Sequence, residues 1–261
     1  MRLGLYQCRS PEGDLDAALA VLDRALDRAK GAAVDMLVLP EVFLPGYNAE
    51  ILPAPDGFAA ALAKVPELVA RRGIGLTLGL AEYGEKTWNA ASVYDRSGDV
   101  IAAYRKVQLW GAREAALYDP GDALTLFEFE GRKLGLIICY DVEFPEHTRA
   151  LARSGAEALL VPTANMQPFT NVNEVTVPAR ALESGLTIVY ANYTGTEGDL
   201  TYTGRSLIAG PDGRALAAMG EETGLIHADL PALDDPGLEA PASSQFADYR
   251  AISKIHTGIG P

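Results

Sequence analysis

Cysteine and histidine are scarce in this chain of 261 residues, which holds two cysteines and three histidines. A disulfide framework needs more cysteines than Cys8 and Cys139, so we expect an intracellular protein. The histidines, His147, His227 and His256, stand at no spacing typical of metal ligands. This scarcity argues against a zinc site.

Long hydrophobic runs and positive charge are also lacking. No apolar run approaches the ~20 residues that a membrane helix needs, and the apolar stretch at the N-terminus is too short for a signal peptide. The chain has 22 Lys and Arg against 35 Asp and Glu, a formal net charge of −13. Such a surface repels phosphate backbones. We therefore expect a soluble, cytoplasmic protein with small-molecule partners, not nucleic acid or a membrane.

The residues that are present predict a layered α/β fold. Apolar residues make up 48% of the chain, enough for a sizeable core. Residues 2–8 and 36–39 read as strands that flank a helix starting near Asp14. Turn residues at 95–99 and 130–133, and again at 210–213, predict three hairpins. Strands outnumber helices, which indicates a mixed sheet, or two sheets, covered by helices.

One domain over residues 1–261 is the better prediction, because no linker or repeat divides the chain. From about residue 231 onward the sequence is loop-like and rich in Pro, Asp and Ala. This segment, 231–261, is either a C-terminal arm that packs on a partner subunit or a tail lying on its own domain.

Cys139 is the candidate nucleophile. It follows the apolar run 134–138, and Pro145 soon opens a helix. A cysteine between a buried strand and a helix sits on a sharp turn, where backbone amides can face an anion. The alternative is a small core residue, the commoner fate of a lone cysteine and the one we expect for Cys8.

A catalytic cysteine also needs a base and an oxyanion stabiliser. Glu41 directly follows the buried run 36–40, where apolar flanks would raise its pKa. Lys106 follows a strand-like segment and precedes apolar residues, so its ammonium can stabilise an oxyanion. The alternatives are an acidic turn residue facing solvent for Glu41 and a snorkelling lysine for Lys106.

Three ordered segments carry a resemblance to a known family. They are Leu39-Pro40-Glu41, then Tyr104-Arg105-Lys106-Val107 with Leu109, and Cys139-Tyr140-Asp141 with Phe144-Pro145-Glu146. They resemble the signature segments of the nitrilase superfamily, the carbon–nitrogen hydrolases, and further similarity runs over nearly the whole chain.

The resemblance implies a four-layer αββα sandwich, dimers that join two such sandwiches into an αββα–αββα sandwich, and no metal or organic cofactor. It also implies a further carboxylate in the loop after the lysine. Glu114 is the matching residue. The alternative for Glu114 is a loop charge paired with Arg113.

Five further residues are candidate pocket walls because they flank the catalytic positions in sequence or end the next strand. They are Tyr47, Trp110, Tyr140, Phe144 and Asn165. An apolar pocket with few polar groups suits a small acyl chain. The alternative is that the aromatic rings belong to the core.

The residues after Cys139 bear on the substrate. Tyr140-Asp141 resembles the amidase branches more than true nitrilases, which usually carry Trp-Glu. Branches acting on carboxylate-bearing substrates often show arginines here, whereas this chain has Glu143 and no arginine before Arg149. We therefore expect hydrolysis of a small carboxamide, neutral or weakly cationic. N-carbamoyl hydrolysis and nitrile hydrolysis stay open, as does a binding subunit on the same fold.

Overall fold

The computed structural model describes residues 1–52, 54–231, 245–248 and 250. Within these residues the strands form two six-stranded sheets and one separate hairpin. The first sheet contains, in chain order, β1 (Arg2–Gln7), β2 (Met36–Val38), β3 (Gly75–Tyr83), β4 (Thr87–Tyr94), β5 (Val100–Arg105) and β14 (Gly224–Asp229). The second contains β6 (Thr125–Phe129), β7 (Arg132–Leu136), β8 (Ala158–Pro162), β9 (Thr187–Ala191), β12 (Leu207–Ala209) and β13 (Ala215–Ala218). The hairpin is β10 (Thr194–Glu197) with β11 (Leu200–Thr203).

Seven α-helices lie in the described part of the chain. They are α1 (Leu15–Gly31), α2 (Phe58–Leu62), α3 (Val65–Arg72), α4 (Gly111–Leu117), α5 (Pro145–Arg153), α6 (Val177–Ser184) and α7 (Gln245–Asp248). A 3-10 turn, Cys139–Glu143, precedes α5, and a π-helical turn, Val172–Thr176, precedes α6.

The two sheets share one strand pattern. Their orders are β14-β1-β2-β3-β4-β5 and β13-β12-β9-β8-β7-β6. Each has three parallel strands, β1, β2 and β3 in one and β7, β8 and β9 in the other, with antiparallel strands at both edges. Parallel neighbours need crossover connections, and helices supply them here. The result is the four-layer αββα sandwich that the resemblance implied.

Side chains of β2 show how the layers are built. Met36 and Val38 belong to the core between the sheets, whereas Leu37 and Leu39 belong to the core under the helices. This alternation follows from the two-residue period of a strand. On α1, the buried leucines Leu19, Leu22 and Leu26 face the sheet. Burying each leucine stabilises the fold by about 1.5–3 kcal/mol.

The loops that leave β2 and β8 meet although these strands belong to different sheets. The backbone N–H of Glu41 donates to the carbonyl oxygen of Thr163 at 3.3 Å. A glycine on β3 allows the first loop to lie close. A Cβ on Gly79 would lie 2.4 Å from the carbonyl oxygen of Pro40, so a larger residue there would displace Glu41.

Several predictions from the sequence are confirmed. Asp14 caps α1 by accepting from the backbone N–H of Ala17 at 2.9 Å, and the three predicted hairpins are β4–β5, β6–β7 and β12–β13. The predicted C-terminal arm, 231–261, lies mostly outside the described residues. Of that segment, α7 contacts α6 of the same chain. All the helices described fall short of the length and apolarity needed to cross a bilayer.

Candidate active site

A buried cluster of opposite charges lies where the two sheets meet. The Nζ atom of Lys106 is 2.6 Å from Oε1 of Glu41 and 2.8 Å from Oε1 of Glu114. All three side chains are fully buried. Glu41 lies 65 positions from Lys106 in the chain, so only the fold brings these two residues together. No solvent screens the charges of the cluster.

Glu41 has one bonded and one free carboxylate oxygen. Oε1 accepts from Lys106 and, at 2.7 Å, from Nδ2 of Asn89. Oε2 has no hydrogen-bond partner in the described part of the chain. Desolvation raises the pKa of Glu41 and outweighs the opposing charge of Lys106. A carboxylate with a free oxygen and a raised pKa is suited to accept a proton.

Lys106 keeps its charge in spite of its burial. Desolvation alone would lower its pKa, but the charges of Glu114 and Glu41 outweigh that effect and hold the pKa well above the usual value. Its backbone is fixed as well: its N–H donates to the carbonyl of Asn89, and its own carbonyl accepts from Gly121, both at 2.8 Å. The site therefore contains a fixed ammonium.

Glu114 is held by two further donors. Tyr47 Oη donates to Oε1 at 2.7 Å, and the backbone N–H of Trp110 donates to Oε2 at 2.8 Å. The neighbouring Arg113 donates instead to the carbonyls of Tyr47 and Ala49, at 2.7 and 3.1 Å. Glu114 thus belongs to the buried cluster and does not form a loop pair with Arg113.

Cys139 opens the 3-10 turn after β7 with a left-handed backbone (φ 46°), a conformation that costs a non-glycine residue energy. Desolvation raises the pKa of its thiol, and the negative charge of Glu41 raises it further, while Lys106 opposes both. The thiol is therefore protonated at neutral pH and needs a base to react. Cys8 lies buried in the core, and burial raises its pKa to about 12.

Asp141 is a buried carboxylate whose role the sequence did not indicate. It accepts from the backbone N–H of Ile138 at 3.0 Å, from that of Gln108 at 2.8 Å and from Oη of Tyr104 at 2.8 Å. These bonds join the turn of Cys139 to the loop that follows Lys106. Asn89, which positions Glu41, was missed too. In the sequence, Asn89 is marked only as a single amide side chain within a mostly apolar strand, which is a weak indication of a role in the site.

A pocket of about 200 Å³ opens beside the thiol. Its lining contains Cys139 and four of the five predicted walls: Tyr47, Trp110, Tyr140 and Asn165. It also contains Glu143, Ala164, Met166 and Phe169. Phe144, the fifth predicted wall, lies outside this lining and packs edge-on behind Tyr140, with ring centroids 5.0 Å apart. Ala164, Met166 and Phe169 were missed, although they flank Asn165 in sequence.

A histidine base is not favoured by the geometry. His147, the histidine nearest to Cys139 in sequence, stacks on Phe144 outside the pocket lining. Its Nδ1 lies 3.7 Å from Oδ1 of Asp141. No group of three or more His, Cys, Asp or Glu side chains within the described residues is arranged to hold a metal ion.

Comparison with known proteins gives concordant matches. The family model of the carbon-nitrogen hydrolases matches residues 2–234. An (R)-stereoselective amidase of a Pseudomonas species is 33% identical over 226 residues, covering 85% of this chain and 82% of the relative. A nitrilase of Pyrococcus abyssi is 34% identical over 222 residues, covering 80% and 82%.

Comparison with solved structures leads to the same family. A mutant of the amidase from Nesterenkonia sp. AN1, whose active-site cysteine carries the product of Michael addition of acrylamide, has a TM-score of 0.85 at 38% identity. The match covers 88% of this chain and 93% of that one. Fold and relatives together define an enzyme that hydrolyses non-peptide carbon–nitrogen bonds. The chain belongs to the carbon–nitrogen hydrolase family, within the nitrilase superfamily, and is of the amidase type.

Proposed function

We propose that this protein hydrolyses a small primary carboxamide to a carboxylic acid and ammonia through a thioester on Cys139. The observation that carries the proposal is the buried cluster of Lys106, Glu41 and Glu114 next to a thiol that lines a pocket of about 200 Å³. The acrylamide adduct on the cysteine of the Nesterenkonia amidase supports it.

Glu41 acts first, as the general base. The raised pKa of the Cys139 thiol means that little thiolate is present at rest, so the proton must leave as the sulfur attacks the amide carbon. Glu41 offers its free Oε2 for this proton. A new C–S bond forms, and the carbonyl oxygen takes the negative charge.

Lys106 stabilises that oxyanion, together with the backbone N–H of Tyr140. The ammonium is held by two buried carboxylates before the substrate arrives, so it need not reorganise during the reaction. Loss of one such donor costs on the order of 3 kcal/mol of transition-state stabilisation. Glu114 keeps Lys106 in place.

Glu41 then returns the proton to the nitrogen, the C–N bond breaks, and ammonia leaves. A water molecule attacks the remaining thioester while Glu41 takes one of its protons. The C–S bond breaks, the sulfur recovers a proton, and the acid is released. Each proton that Glu41 accepts is passed on, so the enzyme returns to its initial state.

The residues that line the pocket favour amide substrates over N-carbamoyl substrates that carry a carboxylate. Glu143 faces the pocket, whereas Arg149, the first arginine after Cys139, lies on α5 outside the pocket lining. Among the described residues that line the pocket, a carboxylate on the substrate would meet the like charge of Glu143 and no lysine or arginine, and the nearby Lys106 is already paired twice.

An ammonia-release screen over primary amides, N-carbamoyl amino acids and nitriles tests the proposal. We expect release from small amides, a loss of at least ~10³-fold in Cys139→Ala and little change in the matched variant Cys8→Ala, whose thiol lies in the core. Near-native amide turnover by Cys139→Ala, or ammonia from nitriles or carbamoyl compounds alone, would overturn it.

A further inference from the structure

Glu143 places a carboxylate in the wall of the pocket. It lies at the end of the 3-10 turn that Cys139 opens, and both residues line the same cavity. In the described part of the chain its carboxylate forms no hydrogen bond or ion pair. Burial raises the pKa of Glu143, and the charges of Arg180 and Lys106 oppose this rise. Partial burial of an ionised carboxylate costs free energy, and a positively charged partner would offset that cost.

Arg180, the nearest candidate for that partner, is engaged elsewhere. Its guanidinium donates to the backbone carbonyls of Val142 and Glu143, at 3.2 and 3.0 Å, and to Oε1 of Glu183 at 2.8 Å. These bonds fix the backbone of the turn from outside the pocket. None of these bonds involves the carboxylate of Glu143, which is a residue of the pocket lining.

The rest of the site also favours a cation. The catalytic cluster combines one ammonium, Lys106, with two carboxylates, Glu41 and Glu114, so it supplies no excess positive charge to the pocket. The rings of Trp110 and Tyr140 line the same space, and aromatic faces attract ammonium groups.

The position of Glu143 relative to the thiol indicates where the positive charge of a ligand would lie. Both residues belong to one 3-10 turn and line one cavity. In an amide with an amine on its second carbon, the carbonyl carbon and the nitrogen are ~4 Å apart, and an ammonium–carboxylate hydrogen bond adds ~3 Å. An amine close to the carbonyl is therefore the group that suits a carboxylate in this wall.

We propose that Glu143 is the counter-ion for a protonated amine on the substrate, and that the preferred substrates are small amides with an ammonium near the carbonyl. This inference rests on the amide hydrolysis proposed above. Glu143 thereby determines specificity and takes no part in the bond-breaking steps.

Two amides of nearly equal shape test the inference: β-alaninamide, which carries an ammonium, and butyramide, which carries a methyl group in its place. For the wild type we expect kcat/KM to be at least tenfold higher with β-alaninamide. In Glu143→Gln we expect the ratio of the two kcat/KM values to fall at least tenfold, chiefly through KM for β-alaninamide. Glu146→Gln is the matched control, because Glu146 is exposed and lines a different cavity. It should keep the wild-type ratio.

The outcomes separate this inference from the function it rests on. Ammonia from butyramide at the same or a higher kcat/KM than from β-alaninamide would overturn the inference and leave amide hydrolysis standing. The same holds if Glu143→Gln keeps the wild-type ratio, or if Glu146→Gln lowers it equally, since the effect would then be bulk charge. No ammonia from any primary amide would overturn both.

Discussion

The charged side chains of Lys106, Glu41 and Glu114 depend on one another because none of them is exposed to solvent. Each carboxylate is stabilised by the one ammonium, and the ammonium is kept charged by both carboxylates. Removing one member of a buried ion pair usually costs 3–5 kcal/mol, roughly, since the remaining charge has no partner. The cluster is therefore part of the stability of the fold as well as of the proposed chemistry.

Replacing the ammonium tests this dependence. We expect Lys106→Met to lower the free energy of unfolding by about 3 kcal/mol, because Glu41 and Glu114 then face each other without a cation. Urea denaturation measures the change. Lys86→Met is the matched control. The Lys86 pair with Asp119 is solvent-exposed, and such pairs contribute about 0–1 kcal/mol. Equal losses in the two variants would contradict the account.

Glu41 should set the titration of the thiol. Its negative charge raises the pKa of Cys139, whereas Lys106 lowers it. In Glu41→Gln the first effect is removed and the second remains, so we expect the pKa of Cys139 to fall. The pH midpoint of iodoacetamide alkylation, measured with Cys8→Ala as background, should move to lower pH while amide turnover is lost. A midpoint that rises, or does not move, would contradict the conclusion that the charge of Glu41 raises the pKa of the thiol.

At this scale the sequence predicted the residue types and their order, but not their burial. Glu41 and Lys106 each follow a strand, and the sequence correctly predicted both positions. Nothing in the local sequence distinguishes a fully buried lysine from a snorkelling one, because burial depends on Glu114 and on the opposite sheet. Asn89 was missed for the same reason: its partner, Glu41, is 48 positions away in the chain.

Among the elements, the turn Cys139–Glu143 is held by bonds from several directions. Asp141 accepts hydrogen bonds from Ile138 just before the turn, from Tyr104 on β5 and from Gln108 after Lys106. From α6, Arg180 donates to two backbone carbonyls of the turn. These contacts stabilise the left-handed backbone of Cys139, which would otherwise cost about 1–3 kcal/mol. Asp141 is thus a positioning residue for both Cys139 and Lys106.

Asp141→Asn tests that role. An asparagine has one acceptor oxygen and an amino group that cannot accept, so at least one of the donors Ile138, Gln108 and Tyr104 is left unpaired. We expect a loss of about 1–3 kcal/mol in the free energy of unfolding and a fall in kcat larger than the change in KM. The exposed Asp122→Asn should show neither effect. If kcat is unchanged, the three bonds stabilise the fold without positioning the site.

The elements that the sequence predicted well are those with strong local signals. The predicted hairpins have apolar arms around Gly-containing turns, and the helix after β1 begins just after Asp14, a residue type that favours helix starts. The hairpin β10–β11 and helix α4 were missed. The hairpin, residues Thr194–Thr203, contains many polar residues, so it lacks the apolar alternation of a strand. Helix α4 begins at a glycine and is only seven residues long, so its helical pattern is weak. Tertiary contacts outweigh propensity in both.

On the scale of the whole molecule, the pairing of two similar sheets creates the site. The loops after β2 and β8 meet across the sheets, and the turn after β7 lies next to them. Strand pairing within a sheet follows from apolar periodicity. The contact between sheets does not, so the convergence of Glu41 and Cys139 rested on the resemblance to a family and not on periodicity.

The dimer implied by that resemblance stays a prediction. Light scattering coupled to size-exclusion chromatography should give twice the mass of the chain, or a higher multiple, at micromolar concentration. The monomer mass over the same concentration range would contradict the prediction.

The central claim, a covalent acyl group on Cys139, is tested most directly by acid-quenched mass spectrometry during amide turnover. The account predicts a species heavier than the free enzyme by the mass of the amide minus ammonia, located by peptide mapping on Cys139 and absent in Cys139→Ala. An acyl group mapped to another residue, or turnover by Cys139→Ala at the native rate, would contradict it.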